Sequence, residues 1–226
     1  MLEPREVGRQ PELISDGGGL PFAPRALDGP AELLKPDDPP VAAMLAHLAS
    51  RRGPKPSRGL FKRSPAPPPP PPPTLAGWRV LARTDDEALF GRGRPPKLVT
   101  IAIRRDARRG TWSCYGESIE RPLRASRDRI RASSWRLDPS TECKPTDTLL
   151  RILVKEQTFA GAQRATGRVL VPDLYQDADE LVLTIFVTPL PGFKARSPNP
   201  ETPVRVALPA PVGERQLIDG ALYEFE

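Results

Sequence analysis

The stretch PPPPPPPTLAGWRVLAR, residues 67–83, decides how this chain is organised. Its seven consecutive prolines have no backbone N–H to donate to a helix or sheet, and their fixed φ favours polyproline II. Directly after them, Trp78, Val80 and Ala82 occupy every second position, which is the period of a β-strand. The sequence therefore predicts that the fold begins near residue 75. It also predicts that Pro67 to Pro73 form a spacer, or a docking ligand for a proline-binding protein partner.

Alternation with period two continues from Trp78 through most of the remaining chain. Short apolar segments are separated by turn residues such as Asp138-Pro139 and Pro198-Asn-Pro200. Strands of this length and spacing predict an all-β fold, an antiparallel β-sandwich of about seven to nine strands over residues 75–226. The alternating positions include Val99, Ile101, Ile103, Trp112, Cys114, Ser133, Trp135, Leu137, Leu150, Ile152, Val154, Val169, Val171, Leu181, Leu183, Ile185, Val187, Val204, Val206 and Leu208.

Two of the connections between these segments predict β-hairpins. Residues 105–110 end in glycine and join two alternating segments. Residues 122–130 fit either a short helix or a hairpin that turns at 126–128. The β-branched Ile130, followed by Ser-Ser-Trp, favours the hairpin.

Residues 1–74 are expected to form a largely disordered, low-complexity arm. Residues 1–39 lack periodicity and carry too little apolar surface to offset the entropy of ordering. Residues 54–64 carry four positive charges and no negative one, which is typical of a basic linker. The polyproline spacer at 67–73 would complete the arm.

One short helix is expected within the arm, over residues 41–51. An isolated helix of this length is marginal in water, so its apolar stripe needs a partner to be stable. Three alternatives follow for the helix near Met44: it docks on the chain's own domain, it fluctuates without a partner, or it binds another protein. The stripe consists of Val41, Met44, Leu45 and Leu48.

The positive charge of the chain is concentrated in one region. The 226 residues include 31 Pro and 17 Gly and carry a net charge of +6, and residues 92–136 hold 13 basic and 4 acidic side chains. Such a region either binds a polyanion such as single-stranded nucleic acid or is a solvated face. Trp112 and Trp135 fall on core positions, whereas Tyr115 is expected to be exposed. The candidate polyanion-binding residues are Arg92, Arg94, Arg104, Arg105, Arg108, Arg109 and Tyr115.

The residues that support nucleophilic or metal chemistry are sparse, and we expect no catalytic, cofactor or metal site. The single histidine, His47, precedes the proline run and is expected to have no fixed neighbours, which excludes Ser–His and Cys–His catalysis from the predicted domain. Cys114 and Cys143 are too far apart in sequence for a typical zinc site. They are expected to be thiols, with a disulfide left open. Residues 91–96 are Gly-rich but lack the spacing of a phosphate-binding loop.

Carboxylates are numerous enough to leave a hydrolase open. A pair of them could perform acid–base chemistry, and the acidic residues 173–180 could either hold a hard cation or form a solvated loop. The candidates for a pair are Glu117, Glu120, Glu156, Asp173, Asp177, Asp179 and Asp219.

The first residues lack the apolar core of a signal peptide, and the chain contains no run of eighteen apolar residues. We therefore expect a cytoplasmic protein without a transmembrane segment, with export by another route left open. Oligomeric state is left open as well.

The C-terminal segment PVRVALPAPVGERQLIDGA, residues 203–221, resembles the end of small β-rich proteins of unassigned function from GC-rich bacteria. Residues 131–138 and 197–203 fit the same group, so the resemblance covers about residues 76–223. It implies a β-rich fold and brings no catalytic residues. Many members are exported with paired cysteines, and this chain departs from them in lacking an export signal and a cysteine beside Pro198.

The sequence as a whole favours a non-catalytic binding or structural module carried on a proline-rich spacer. The first alternative is a polyanion- or single-strand-binding module that uses the basic region 92–136. The second alternative is a carboxylate-based hydrolase.

Overall fold

The computed structural model describes residues 1–29, 34–52, 73–192 and 197–224. Most of its regular structure is β, which confirms the predicted class in its coarse form. The predicted basic linker and nearly all of the proline run lie outside the described residues. The helices are a 3₁₀ turn at Pro24–Leu27 and α1 (Pro39–Arg52). The strands are β1 (Arg5–Glu6), β2 (Ile14–Ser15), β3 (Trp78–Arg83), β4 (Glu87–Arg92), β5 (Val99–Arg105), β6 (Trp112–Ile119), β7 (Arg124–Arg127), β8 (Ile130–Leu137), β9 (Leu149–Lys155), β10 (Asp173–Gln176), β11 (Glu180–Phe186), β12 (Thr202–Ala207) and β13 (Gln216–Asp219).

The chain separates into two compact units whose boundaries differ from the predicted boundary at residue 75. Unit 1 consists of Met1–Gly17, Pro21–Pro24 and Pro122–Glu226. Unit 2 consists of Gly18–Leu20 and Arg25–Arg121. Residues from before the proline run therefore contribute to both units.

Unit 2 is a four-stranded antiparallel meander, β3-β4-β5-β6, that carries α1 against β5 and β6. The helix extends one or two residues beyond each predicted end. Its apolar stripe docks within the same unit, since Val41 and Met44 are fully buried beside Trp78 and Phe90. The first of the three alternatives for this helix is the one that the structure has.

Unit 1, in its described part, contains nine strands whose pairing returns to its starting point. β8 pairs with β9, β9 with β12, β10 with β11, and β11 with β8. The N-terminal residues join the two ends, because Leu2 bridges to Val206 in β12 and β1 pairs in parallel with β10. A second parallel pair, β11 with β13, makes the sheet mixed rather than wholly antiparallel.

The ring of strands encloses an apolar core. Alternate side chains of β9 and β11 point inward, among them Ile152, Leu181 and Leu183, all fully buried. Trp135 belongs to this core, as its period-two position predicted, and its indole N–H donates to the carbonyl of Leu183 at 2.7 Å. A hydrogen bond of this kind removes the cost of burying the indole nitrogen.

The expected disorder of residues 1–39 is not confirmed where the structure describes them. Besides β1 and β2, this segment buries Ile14 and Phe22 in unit 1 and Leu20 and Leu27 in unit 2. These side chains are too widely spaced to give a periodic pattern. Their packing against distant strands, rather than local propensity, orders the segment.

Both predicted hairpins are present, but the second turns at residues 128–129 rather than at the predicted 126–128, because Ser126 and Arg127 still pair with β8. β5 and β6 are joined at residues 106–111, where the Asp106 carboxylate accepts the backbone N–H groups of Arg108 and Arg109. β7 and β8 are joined at Asp128 and Arg129, both of which have positive φ. Two consecutive positive φ angles are the mark of a type I′ turn.

Candidate functional site

Residues 7–13 of unit 1 cover part of the sheet surface, and we call this segment the strap. Along the pairing path β1-β10-β11-β8-β7-β2, β1 and β2 stand at opposite ends. The strap joins these two strands and must therefore cross the face of the sheet. It is held at one end by the hydrogen bond from Val7 N–H to Leu174 O and at the other by Ser126 N–H to Leu13 O.

A cleft of about 660 Å³ lies between the strap and the sheet. Strand alternation explains its lining, because the residues of β10 and β11 that do not enter the core point outward into it. Its volume falls within the range of ligand-binding pockets, about 300 to 1,000 Å³. The outward side chains are Asp173, Tyr175, Glu180, Val182, Thr184 and Phe186, with Ile218 from β13 beside them.

Asp173 is tied to two arginines inside the cleft. Arg5 donates to both of its carboxylate oxygens, at 2.6 and 3.2 Å, and Arg127 donates to Oδ1 at 2.9 Å. The Arg127 guanidinium also donates to Val171 O and stacks on the Phe186 ring, 4.5 Å from its centroid. These charge-assisted hydrogen bonds hold the carboxylate in place.

Glu180 is paired with Arg9 of the strap. The other predicted members of the acidic loop turn elsewhere: Asp177 accepts the backbone N–H groups of Asp179 and Glu180 and the Tyr175 hydroxyl. Those hydrogen bonds lower the pKa of Asp177. Within the described residues, no group of three or more His, Cys, Asp or Glu side chains is arranged to hold a metal ion.

Asp219 is another partly buried carboxylate that lines the cleft. Burial raises its pKa, although it accepts backbone N–H groups from Ala221 at 3.0 Å and Trp135 at 3.2 Å. Arg124 lies in the same environment, and burial lowers the pKa of its guanidinium. Arg124 donates to Ala132 O and to the Ser134 hydroxyl.

The seven candidate polyanion-binding residues all lie in unit 2, but the structure does not bring them together. Arg92 and Arg94 lie at the end of β4 that is paired with Val99, whereas the rest lie near Arg105 at the other end of β5. A strand of this length spans about 20 Å. The second group consists of Arg104, Arg105, Arg108, Arg109 and Tyr115.

Carboxylates are interleaved with the basic groups of unit 2. Glu87 accepts from Arg104 Nε at 2.8 Å, and Asp38 pairs with Arg83 at 2.5 Å. Tyr115 is 41% exposed, as predicted, but the guanidinium of Arg104 covers one face of its ring at 4.2 Å. That face is therefore occupied by a cation of the chain itself.

The expectation that His47 has no fixed neighbours is wrong. His47 Nε2 lies 3.3 Å from Glu117 Oε2, and Arg51 donates to the other oxygen of the same carboxylate. Sequence alone did not reveal the pair because it depends on how α1 docks on β6. Glu117 links the helix to the edge strand, so the histidine has a structural contact.

The two cysteines are free thiols in the structure. Burial raises the pKa of both the Cys114 and the Cys143 thiol, which disfavours the thiolate. Cys143 lines a second, smaller cleft in unit 1 of about 450 Å³, beside Lys144 and Arg151.

Among the described residues, no helix combines the length and apolar character needed to span a membrane. No family model matches this chain, and it matches neither a curated protein nor a solved structure.

Sequence reasoning identified Asp173 as a candidate carboxylate and placed Glu180 in the acidic loop, but it missed their partners Arg5 and Arg9. Both arginines lie in a segment that was expected to be disordered. Their spacing of four residues carries no signal by itself. In the structure, the buried side chains of Ile14 and Phe22 anchor the segment that follows the strap. These two apolar residues are the sequence feature that could have indicated an ordered segment.

Proposed function

We propose that the chain is a non-catalytic binding module whose ligand site is the strap cleft of unit 1. The observation that carries this proposal is the strap itself, residues 7–13, which crosses an outward sheet face and leaves about 660 Å³ beneath it. A face that served stability alone would be filled by side chains, as the opposite face is. The cleft combines apolar walls, from Val182 and Ile218, with charged side chains that can orient a ligand.

The state of the carboxylates favours binding over hydrolysis. Acid–base hydrolysis by a carboxyl pair needs one protonated and one ionised member that both face the substrate. Asp173 and Glu180 each carry a guanidinium partner, so both carboxylates are already engaged by cations of the chain itself. Asp219 has a raised pKa, but its two oxygens accept backbone N–H groups. The carboxylate-based hydrolase remains an alternative, but none of the contacts described for these three carboxylates favours it.

The polyanion-binding alternative also stays a prediction. Its candidate arginines are divided between two ends of the unit 2 sheet, and Arg104 is engaged by Glu87. A binder of nucleic acid gains most of its affinity from basic groups that follow a continuous phosphate backbone. The arrangement in unit 2 offers two separate groups instead.

Filling the cleft tests the proposal. Ile218 is half-buried and lines the cleft, so Ile218→Trp should occupy the space and abolish ligand binding. The measurement is an NMR screen of the full chain against a library of tripeptides and small organic molecules. Bound compounds should shift the amide signals of Val182 and Thr184, and those shifts should vanish in the variant.

The matched control is Val171→Trp, which adds the same ring at a position that is 49% exposed and outside the cleft lining. Urea unfolding of both variants checks that they fold. Binding that survives Ile218→Trp in a folded protein, or compounds that shift only signals elsewhere, would contradict the proposal.

A further inference from the structure

The strap cleft is acidic, and the N-terminal segment supplies two of the three described basic side chains that line it. Among the described residues, seven carboxyl side chains line it, against three guanidinium groups. Two of those guanidinium groups, Arg5 and Arg9, belong to the N-terminal segment, and Arg127 is the third. A concave surface with this excess of one sign attracts a ligand of the opposite sign. Charge complementarity therefore indicates a cationic ligand.

The N-terminal arginines and their partners differ sharply in exposure. The Arg5 and Arg9 side chains are 54% and 53% exposed, whereas those of Asp173 and Glu180 are 13% and 16% exposed. Each guanidinium therefore reaches its carboxylate from the solvent side. A ligand that approaches from solvent can replace it without moving the strands that carry the carboxylates.

Asp173 and Glu180 differ in the contacts that each would keep if its N-terminal arginine were displaced. Asp173 keeps its contact with Arg127, whose side chain is only 16% exposed and rests on Phe186. Glu180 stands at the start of β11, with Arg9 as its guanidinium partner. If Arg9 is displaced, Glu180 can pair with an incoming cation, whereas Asp173 stays paired with Arg127. Glu180 is therefore the carboxylate that we expect the cation to bind.

We propose that the strap cleft binds an arginine-bearing peptide, whose guanidinium takes the place of Arg9 on Glu180. This inference rests on the proposed function and adds the chemical class of the ligand. Arg9 then acts as an internal competitor that holds the site until a basic ligand arrives. A planar guanidinium suits the carboxylate better than an ammonium does, because it can donate two parallel hydrogen bonds.

The test uses the full chain and a fluorescein-labelled hexapeptide of alternating glycine and arginine, followed by fluorescence anisotropy at physiological salt. Arg9→Ala removes the competitor and should lower the Kd about two- to fivefold, which is the range that a partly exposed ion pair accounts for. Glu180→Gln removes the anchor and should raise the Kd at least about tenfold.

Matched controls separate a specific site from general electrostatics. Arg136→Ala and Glu201→Gln make the same charge changes in an exposed ion pair of unit 1 that does not line the cleft. Neither should alter the Kd, and urea unfolding checks that all four variants fold. If Arg136→Ala tightens binding as much as Arg9→Ala, or if Glu180→Gln leaves the Kd unchanged, the assignment of a basic ligand is wrong.

A glutamate version of the hexapeptide distinguishes this inference from the proposed function. If it shifts the Val182 and Thr184 amide signals and the arginine version does not, the cleft is a binding site but its ligand is not basic. If the arginine version binds with a Kd that Ile218→Trp leaves unchanged, the peptide binds outside the cleft and this inference is wrong, while the proposed function is still decided by the NMR screen.

Discussion

At the scale of single residues, the buried ion pair between Glu156 and Arg168 shows how unit 1 fixes a long connection. The side chains are 2% and 15% exposed and form two hydrogen bonds, at 2.7 and 2.8 Å. Thr158 donates to the same carboxylate, and Arg168 donates to Thr188 O. Glu156, Thr158 and Arg168 lie in the connection between β9 and β10, and Thr188 follows β11. The sequence offered Glu156 as a catalytic candidate, but its contacts are those of a structural anchor.

Removing that charge should destabilise unit 1 strongly. Glu156→Gln leaves Arg168 buried without its counter-ion, and breaking a buried pair in this way lowers the free energy of unfolding by about 3 kcal/mol or more. Glu201→Gln is the matched control, because Glu201 pairs with Arg136 at an exposed site and screening by water makes such pairs weak. Urea denaturation compares the two midpoints. Equal shifts would mean that the burial of Glu156 contributes nothing.

At the scale of elements, alternation was informative only for strands long enough to show it. β5, β9 and β11 have seven residues each and were identified from their apolar positions. β1 and β2 have two residues each, which is too short for any period. Their pairing is set by tertiary contacts, so the strap and the cleft beneath it were beyond the reach of sequence patterns. The His47–Glu117 contact could not be predicted from the sequence for the same reason, since it depends on tertiary packing.

The short strand β1 nonetheless closes the ring of unit 1, and proline substitution should reveal this. Val7 N–H donates to Leu174 O, so Val7→Pro removes the donor and leaves a carbonyl unpaired. We expect the free energy of unfolding to fall by about 1–3 kcal/mol. Glu6→Pro is the control, since the N–H of Glu6 points away from β10 in this parallel pairing.

Urea unfolding with near-ultraviolet circular dichroism measures both variants. Hydrogen exchange at Ala207, which donates to Leu2 O on the other side of the N-terminal segment, shows whether the ring opens locally. Exchange should accelerate in Val7→Pro more than in Glu6→Pro. If both variants lost the same free energy of unfolding and exchanged equally fast at Ala207, the hydrogen bond from Val7 to Leu174 would not be what holds the N-terminal segment in place.

At the scale of the whole molecule, the described residues before the proline run are part of the fold. They supply six buried apolar side chains: Ile14 and Phe22 to unit 1, and Leu20, Leu27, Val41 and Met44 to unit 2. Burying a large apolar side chain contributes about 1.5–3 kcal/mol. The sum is of order 10 kcal/mol, which is comparable to the entire stability of a typical domain, about 5–15 kcal/mol.

A shortened chain that starts at Thr74 should therefore fail to fold cooperatively. It lacks β1, β2 and α1, exposes apolar surface in both units, and should bind a hydrophobic dye strongly. Its urea transition should be broad or absent. The control shortens only the proline run by deleting Pro68 to Pro70, which leaves every described contact in place and should preserve the transition. A cooperative transition in the chain that starts at Thr74, at the midpoint of the full chain, would show that the β-strands after residue 75 hold together without the N-terminal segment.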